Sequence, residues 1–268
     1  MTLQPKTLRG VRPAAALEIE YRRRILALVT QMQASVIREV VATYRARPPE
    51  VAALAADESP AAALRDAIRR LTRRWLKRFD DGAPRLAAWF AQSAARRSDA
   101  ALRKILRDAG FTVEFKLTAA QNDVIQGAVA ENVALIKSIP QRYMSQVEGF
   151  VMRSVQTGRD LGQLTKDLKE HCGVSQRQAE LIARDQNNKA TAVLTRARQL
   201  ESGLTQAVWC HSAGGKTPRP SHVTAGRDRQ VYDISLGWPD PALGGKKIFP
   251  GQEINCRCFS RPVVKGFS

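Results

Sequence analysis

Thr195–His211 reads TRARQLESGLTQAVWCH, and the character of the chain changes inside it. The first half continues a helical pattern. Gly203 offers the left-handed residue that commonly closes a helix. From Thr205 to His211 the run TQAVWCH is β-prone, as a half-buried strand requires. Upstream, to about Leu200, everything reads as helix. Downstream, Gly, Pro, Asp and Ser become dense and two further β-prone runs appear, RQVYDIS at 229–235 and NCRCFSRPVV at 255–264. The predicted fold class is therefore mainly α with a small C-terminal α+β module: a helical N-terminal region followed by a loop-rich, β-containing C-terminal unit. Three stretches follow: a basic helical region over 1–115, a helical middle region over 116–202 leading into the module, and the small β-containing module over 203–268.

Working back from the switch, local signals divide the helical part. Ile25, Leu28, Met32, Val36, Val40 and Tyr44 recur at three- and four-residue steps, one face of a long amphipathic helix. Pro48-Pro49 stops it. Ser59-Pro60 is a start signal for a helix bearing Leu64, Ile68, Leu71, Trp75 and Phe79 on one face, broken at Gly82 and Pro84. A third helix ends on Gly110. FTVEFKL, residues 111–117, alternates and reads as a short strand or an extended linker. Thr118 with Gln121 forms a capping box that opens a helix running to Pro140, and another covers Gln141 to Gln156. A shorter helix follows Asp160 and ends near Cys172-Gly173. Ser175 with Gln178 forms a second capping box and launches the helix that Gly203 closes.

The chain has 268 residues, a formal charge of +18 and four cysteines. Such a cysteine count is no disulfide framework and points to a reducing compartment. No run of eighteen uninterrupted apolar residues occurs, so no membrane span is expected, and the start lacks the apolar core of a signal peptide. The charge predicts attraction to a polyanion, with nucleic acid the best candidate, though an anionic membrane or an acidic protein partner would satisfy the same field. It concentrates in clusters: Arg22-Arg23-Arg24, then Arg69, Arg70, Arg73, Arg74, Lys77 and Arg78, then Arg96 and Arg97. These are the candidate DNA contacts, acting on phosphate rather than on base edges, because no recognition helix or stacking platform is legible.

Cys256 and Cys258 flank Arg257. A strand through this run puts both sulfurs on one side, where His222 and one of Cys210 or His211 complete a tetrahedral zinc set. The competing reading makes them small buried hydrophobes. A disulfide between them is disfavoured, since neighbours-but-one on a strand sit too far apart. Zinc is the one cofactor candidate; the sequence demands none. For catalysis, His222 is the credible base, yet no acid stands beside it in sequence, and Asp228, Asp233 and Asp240 are scattered among turn residues. His171, beside Cys172 at an expected helix end, reads as a cap. No catalytic residue is assigned.

Several features in order resemble the phage minor head proteins typified by the F protein of phage Mu, over roughly Leu181 to Val264. They are Ala183-Arg184-Asp185-Gln186 on a helix, Arg196 and Arg198, Gly203 before a strand with Trp209, then Arg219-Pro220-Ser221-His222. Val231-Tyr232 and Pro250 before Asn255-Cys256-Arg257-Cys258 complete the set. The family often carries an Asp and an Arg shortly before the His, where this chain has GGKTP with Lys216 as its one charge. The resemblance implies a structural, non-enzymatic head morphogenesis protein of a tailed phage, located in the inner head of the virion and, during assembly, in the host bacterial cytoplasm. Its implied partners are portal, capsid or scaffold proteins and double-stranded DNA bound without sequence preference, with no membrane. The module would be held together by Arg184, Asp185, Trp209, Arg219 and Asn255. The alternative is a zinc-dependent nucleic-acid-processing enzyme using His222, Cys256, Cys258 and Cys210.

Overall fold

The apolar stripe of the second predicted helix does not stop at Pro84. Leu64, Ile68, Leu71, Trp75 and Phe79 are followed at the same spacing by Ala83, Ala87, Phe90, Ala94, Leu102 and Leu106, all buried. In the computed structural model, which describes residues 6–46, 60–156, 161–215 and 217–264, one helix accordingly spans Pro60–Asp108 (α2). An interior proline costs about 3 kcal/mol. Each large side chain buried beyond it returns about 1.5–3 kcal/mol, so the stripe wins. Pro140 behaves alike inside Ala119–Gln156 (α3), where Ile136, Ile139, Tyr143, Val147 and Val151 are buried on both sides of it. The expected break near Cys172-Gly173 is likewise absent: Leu161–Glu201 is one helix (α4). Ser175 is no cap there. Buried inside α4, its hydroxyl donates to the Cys172 carbonyl at 3.2 Å and accepts from Gln33 Nε2 at 2.8 Å.

The first helix, Ala15–Ala46 (α1), follows expectation. Its mean hydropathy reaches 1.3, enough by length and composition to cross a membrane. Its apolar face is accounted for by packing, since Tyr21, Ile25, Val29, Met32, Val36 and Val40 are buried. The Pro48-Pro49 stop and the Ser59 cap lie outside the described residues, as does Lys216. Residues 111–118 are an extended linker, not a strand. Thr118 caps α3 by accepting from the Gln121 amide at 3.2 Å. Over the described residues the protein is 71% helical, with five helices and antiparallel strands in two small sheets, the predicted class.

The chain forms two compact units, each assembled from discontinuous stretches. One comprises Tyr21–Leu86 and Glu131–Ile182. Tyr21 donates to Asn132 Oδ1 at 2.7 Å, both residues buried, and Arg74 reaches Glu39 at 2.7 Å and Ser35 at 2.8 Å. His171 lies within α4, stacked on Tyr143 with ring centroids 5.2 Å apart and planes 7° from parallel. It is a core residue and not the helix-end cap the sequence suggested.

The other unit comprises Met1–Glu20, Ala87–Ala130 and Ala183–Ser268. It holds a four-stranded antiparallel sheet of Lys6–Thr7 (β1), Phe259–Val264 (β6), Gln206–Cys210 (β2) and Val231–Asp233 (β3), in that order. Trp238–Asp240 (β4) and Lys246–Ile248 (β5) form a separate hairpin, and Pro220–Arg227 (α5) is a short helix. The core gathers Leu8, Val11, Leu102, Leu106, Leu204 and Ile248 around Trp209, whose ring meets those of Tyr232 and Trp238 at 6.2 and 5.1 Å. Arg198, nearly buried, ties this unit together. Its guanidinium donates to both oxygens of Asp99 at 2.9 Å, to Glu201 at 2.7 Å and to the Lys116 carbonyl at 2.6 Å.

Candidate metal centre and basic surfaces

The NCRC segment is shaped by its neighbours on α4 and α5. Gly251 takes φ +83°, and a Cβ there would sit 2.9 Å from Ala192 Cβ, so the turn lies directly on α4. Asn255 also adopts a positive φ of 59°, a conformation Asn tolerates better than most residues. Its amide donates to Asp185 Oδ1 at 2.5 Å, and Arg219 donates to the Ile254 carbonyl at 3.1 Å. Asp185 also pairs with Lys189 at 3.3 Å. Arg257 reaches the Gly214 carbonyl. Arg184 lines a cleft with Glu18 and Asn188. The cysteines thus sit just ahead of β6 and not on it, because the Asn255 turn delays the strand until Phe259.

Both sulfurs nevertheless reach the same point. Cys256 Sγ and Cys258 Sγ lie 3.5 and 3.8 Å from His222 Nδ1, and the three residues are 4, 6 and 2% exposed. One ligand atom from each falls within 4.8 Å of the others. Trp209 packs edge-on against the imidazole at 5.0 Å. All four cysteines are free. The hydrogen bond from Cys258 and that from His222 pull the Cys256 thiol below its ordinary range against its burial. The same contact with Cys256, with burial, pushes Cys258 up, while the Trp209 indole and the Ser212 amide act the other way.

Asp240 is the residue that sequence reading missed. It is 1% exposed, and its Oδ2 stands 3.5 Å from His222 Nε2 and 3.2 Å from Ser221 Oγ. Its Oδ1 accepts from the Ala242 amide at 2.9 Å and so caps the short 3-10 turn Pro241–Leu243. That cap was the only available signal: Asp-Pro at a turn start. Cys210 does not join the group. Alternation on β2 sends Trp209 into the core and its neighbour to the opposite face, where the Cys210 thiol lies 3.9 Å from the Val208 carbonyl. His211 borders the same small cavity as the three ligands, about 40 Å³ in volume, but is not among the converging atoms.

The basic candidates Arg69, Arg70, Arg73, Arg74, Lys77, Arg78, Arg96 and Arg97 are all exposed. Several are partly neutralised: Arg69 by Asp66, Lys77 by Asp81 and Arg74 by Glu39. Among the described residues, no carboxylate pairs with Arg70, Arg73 or Arg97. A second cationic feature went unread. Arg9, Arg12, Arg229 and Arg261 line one cleft of about 590 Å³ beside the sheet, with Arg12 over the Phe259 ring at 4.7 Å. These arginines come from three separate segments, 9–12, 229 and 261, so no cluster is visible along the chain.

The family model described as phage Mu protein F like protein matches residues 145–261, a stretch from within α3 into β6 that includes His222, Cys256 and Cys258. An uncharacterized protein of Haemophilus influenzae (strain ATCC 51907 / DSM 11121 / KW20 / Rd) is 34% identical over 143 residues. The aligned region covers 52% of this chain and 29% of that relative, so the chain spans less than a third of its length. No solved structure matches the chain. Over residues 145–261 the chain is similar to the phage Mu protein F-like family.

Proposed function

We propose that the protein is a minor head component of a tailed phage, a structural part that joins portal or inner capsid and contacts packaged DNA without reading its sequence. The observation that carries this reading is the family match over residues 145–261, which spans most of the module and the helix leading into it. Two physical features support it. Exposed arginines on α2 and the four-arginine cleft by the sheet suit phosphate contact, where affinity comes from counterion release. The space beside His222, Cys256 and Cys258 is about 40 Å³, room for a water, whereas sites that enclose small organic ligands run to about 300–1,000 Å³. That favours a structural over an enzymatic use of the residues.

The test is genetic and biochemical. Disrupting the gene in an inducible prophage should abolish infectious particles while tails still form, and antibody to the chain should detect it in purified wild-type heads. Normal yields of infectious phage from the disrupted strain, with no chain in the heads, would overturn the reading.

A further inference from the structure

The cluster of His222, Cys256 and Cys258 has a polarity that thiols alone do not explain. Asp240 is a nearly fully buried carboxylate, a group that is costly to bury without a partner. His222 Nε2 is the nitrogen that faces it, at 3.5 Å. The proton therefore belongs on Nε2, which leaves the Nδ1 lone pair directed at the two sulfurs. Three electron-rich atoms then converge in a buried space: one imidazole nitrogen and two sulfurs. A carboxylate behind a ligating histidine is a recurrent support for bound zinc.

The distances fit one ion in particular. With zinc–sulfur bonds of about 2.3 Å and a zinc–nitrogen bond of about 2.0–2.1 Å, a tetrahedral angle separates sulfur from nitrogen by about 3.5–3.6 Å. The separations here are 3.5 and 3.8 Å. Two thiolates and an imidazole also match the softness of Zn²⁺ better than that of Mg²⁺ or Ca²⁺. The small cavity against the same three residues leaves room for a water as fourth ligand.

We propose that His222 Nδ1, Cys256 Sγ and Cys258 Sγ bind one structural zinc ion, with Asp240 orienting the histidine, and that this ion fastens α5 and the β4 end to the segment entering β6. The proposal does not rest on the phage-head reading and survives its failure. Zinc displaces the thiol protons, so uptake releases acid.

The test uses the full chain, purified under reductant and without chelator. Elemental analysis should give about one zinc per chain. Cys210→Ser and Cys172→Ser should keep that equivalent, and Cys256→Ser and Cys258→Ser should lose it. Because a ligand variant can fail by misfolding, the deciding measurement is on the wild type. Metal is stripped with chelator and Co²⁺ is titrated back while thiolate-to-cobalt charge transfer and circular dichroism are followed. A single saturable site with tetrahedral cobalt bands, and a thermal midpoint that falls on stripping and recovers with zinc, are expected. A reduced, folded wild-type chain that takes up neither zinc nor cobalt overturns the proposal, as does a Cys210→Ser chain that loses the ion.

Discussion

His171 shows how much one residue's environment decides. It sits among Tyr143 and Phe150, and burial lowers its pKa below the ordinary imidazole value. Its Nε2 has no hydrogen-bond partner. The unfolded chain binds a proton near pH 6.5, whereas the folded chain resists it until lower pH. The stability is therefore fully present above about pH 6.5 and is lost as pH falls through the window toward the folded value. His171→Phe should flatten this dependence. Thermal midpoints of wild type and variant, compared between about pH 7.5 and 5.5, should converge on the acid side; parallel curves would count against the assignment. At this scale the sequence was partly legible. The NCRC run and His222 announced themselves by residue type, and they do meet. Asp240 and the Asp185 bond to the Asn255 amide were not legible as such, because each depends on a turn placing a carboxylate against a distant segment.

Elements were legible in type and misread in extent. Pro84, Pro140 and Gly173 each carry a local signal for a break, and each lies inside a helix whose buried stripe continues past it. Periodicity over tens of residues outweighed a single residue's cost. Strands β2, β3 and β6 were found by their β-prone runs, whereas β1, β4 and β5, two or three residues each, carry no alternation to detect. What no periodicity reveals is the side chain that locks elements together. Arg198 is such a lock: it holds Asp99 of α2, the Lys116 carbonyl of the linker and Glu201 on its own helix. The hydrogen bonds from Thr118 and Arg198 more than offset burial and keep the Glu201 carboxyl below its ordinary range. Arg198→Ala strands two carboxylates and a carbonyl, and should cost about 3 kcal/mol. Urea titration followed by tryptophan fluorescence measures this. A change under about 0.5 kcal/mol would mean that water replaces the guanidinium.

For the whole molecule, the charge of +18 raises the question of where a polyanion would meet it. The exposed, carboxylate-free Arg70 and Arg73 and the cleft of Arg9, Arg12, Arg229 and Arg261 are distinct surfaces. Retention on duplex DNA should fall linearly in log–log form with salt, with a slope near −0.9 for each phosphate neutralised. Arg70→Glu with Arg73→Glu should shallow that slope by about 2 if α2 meets DNA. The corresponding change at Arg12 and Arg229 reports on the cleft in the same assay. A slope indifferent to both pairs would assign the basic faces to a protein partner.

The antiparallel pairing of β1 with β6 also sets an order of events on the ribosome. Leu8 accepts a hydrogen bond from Arg261, 253 residues later. At translation rates of about 5–20 residues per second, that partner arrives roughly 13–50 s after the tail has emerged. The sheet that surrounds Trp209 therefore closes last, however early the helices form. Until then the Leu8 and Val11 side chains wait without their core, and the nascent chain offers an open strand edge to any chaperone or neighbour within reach.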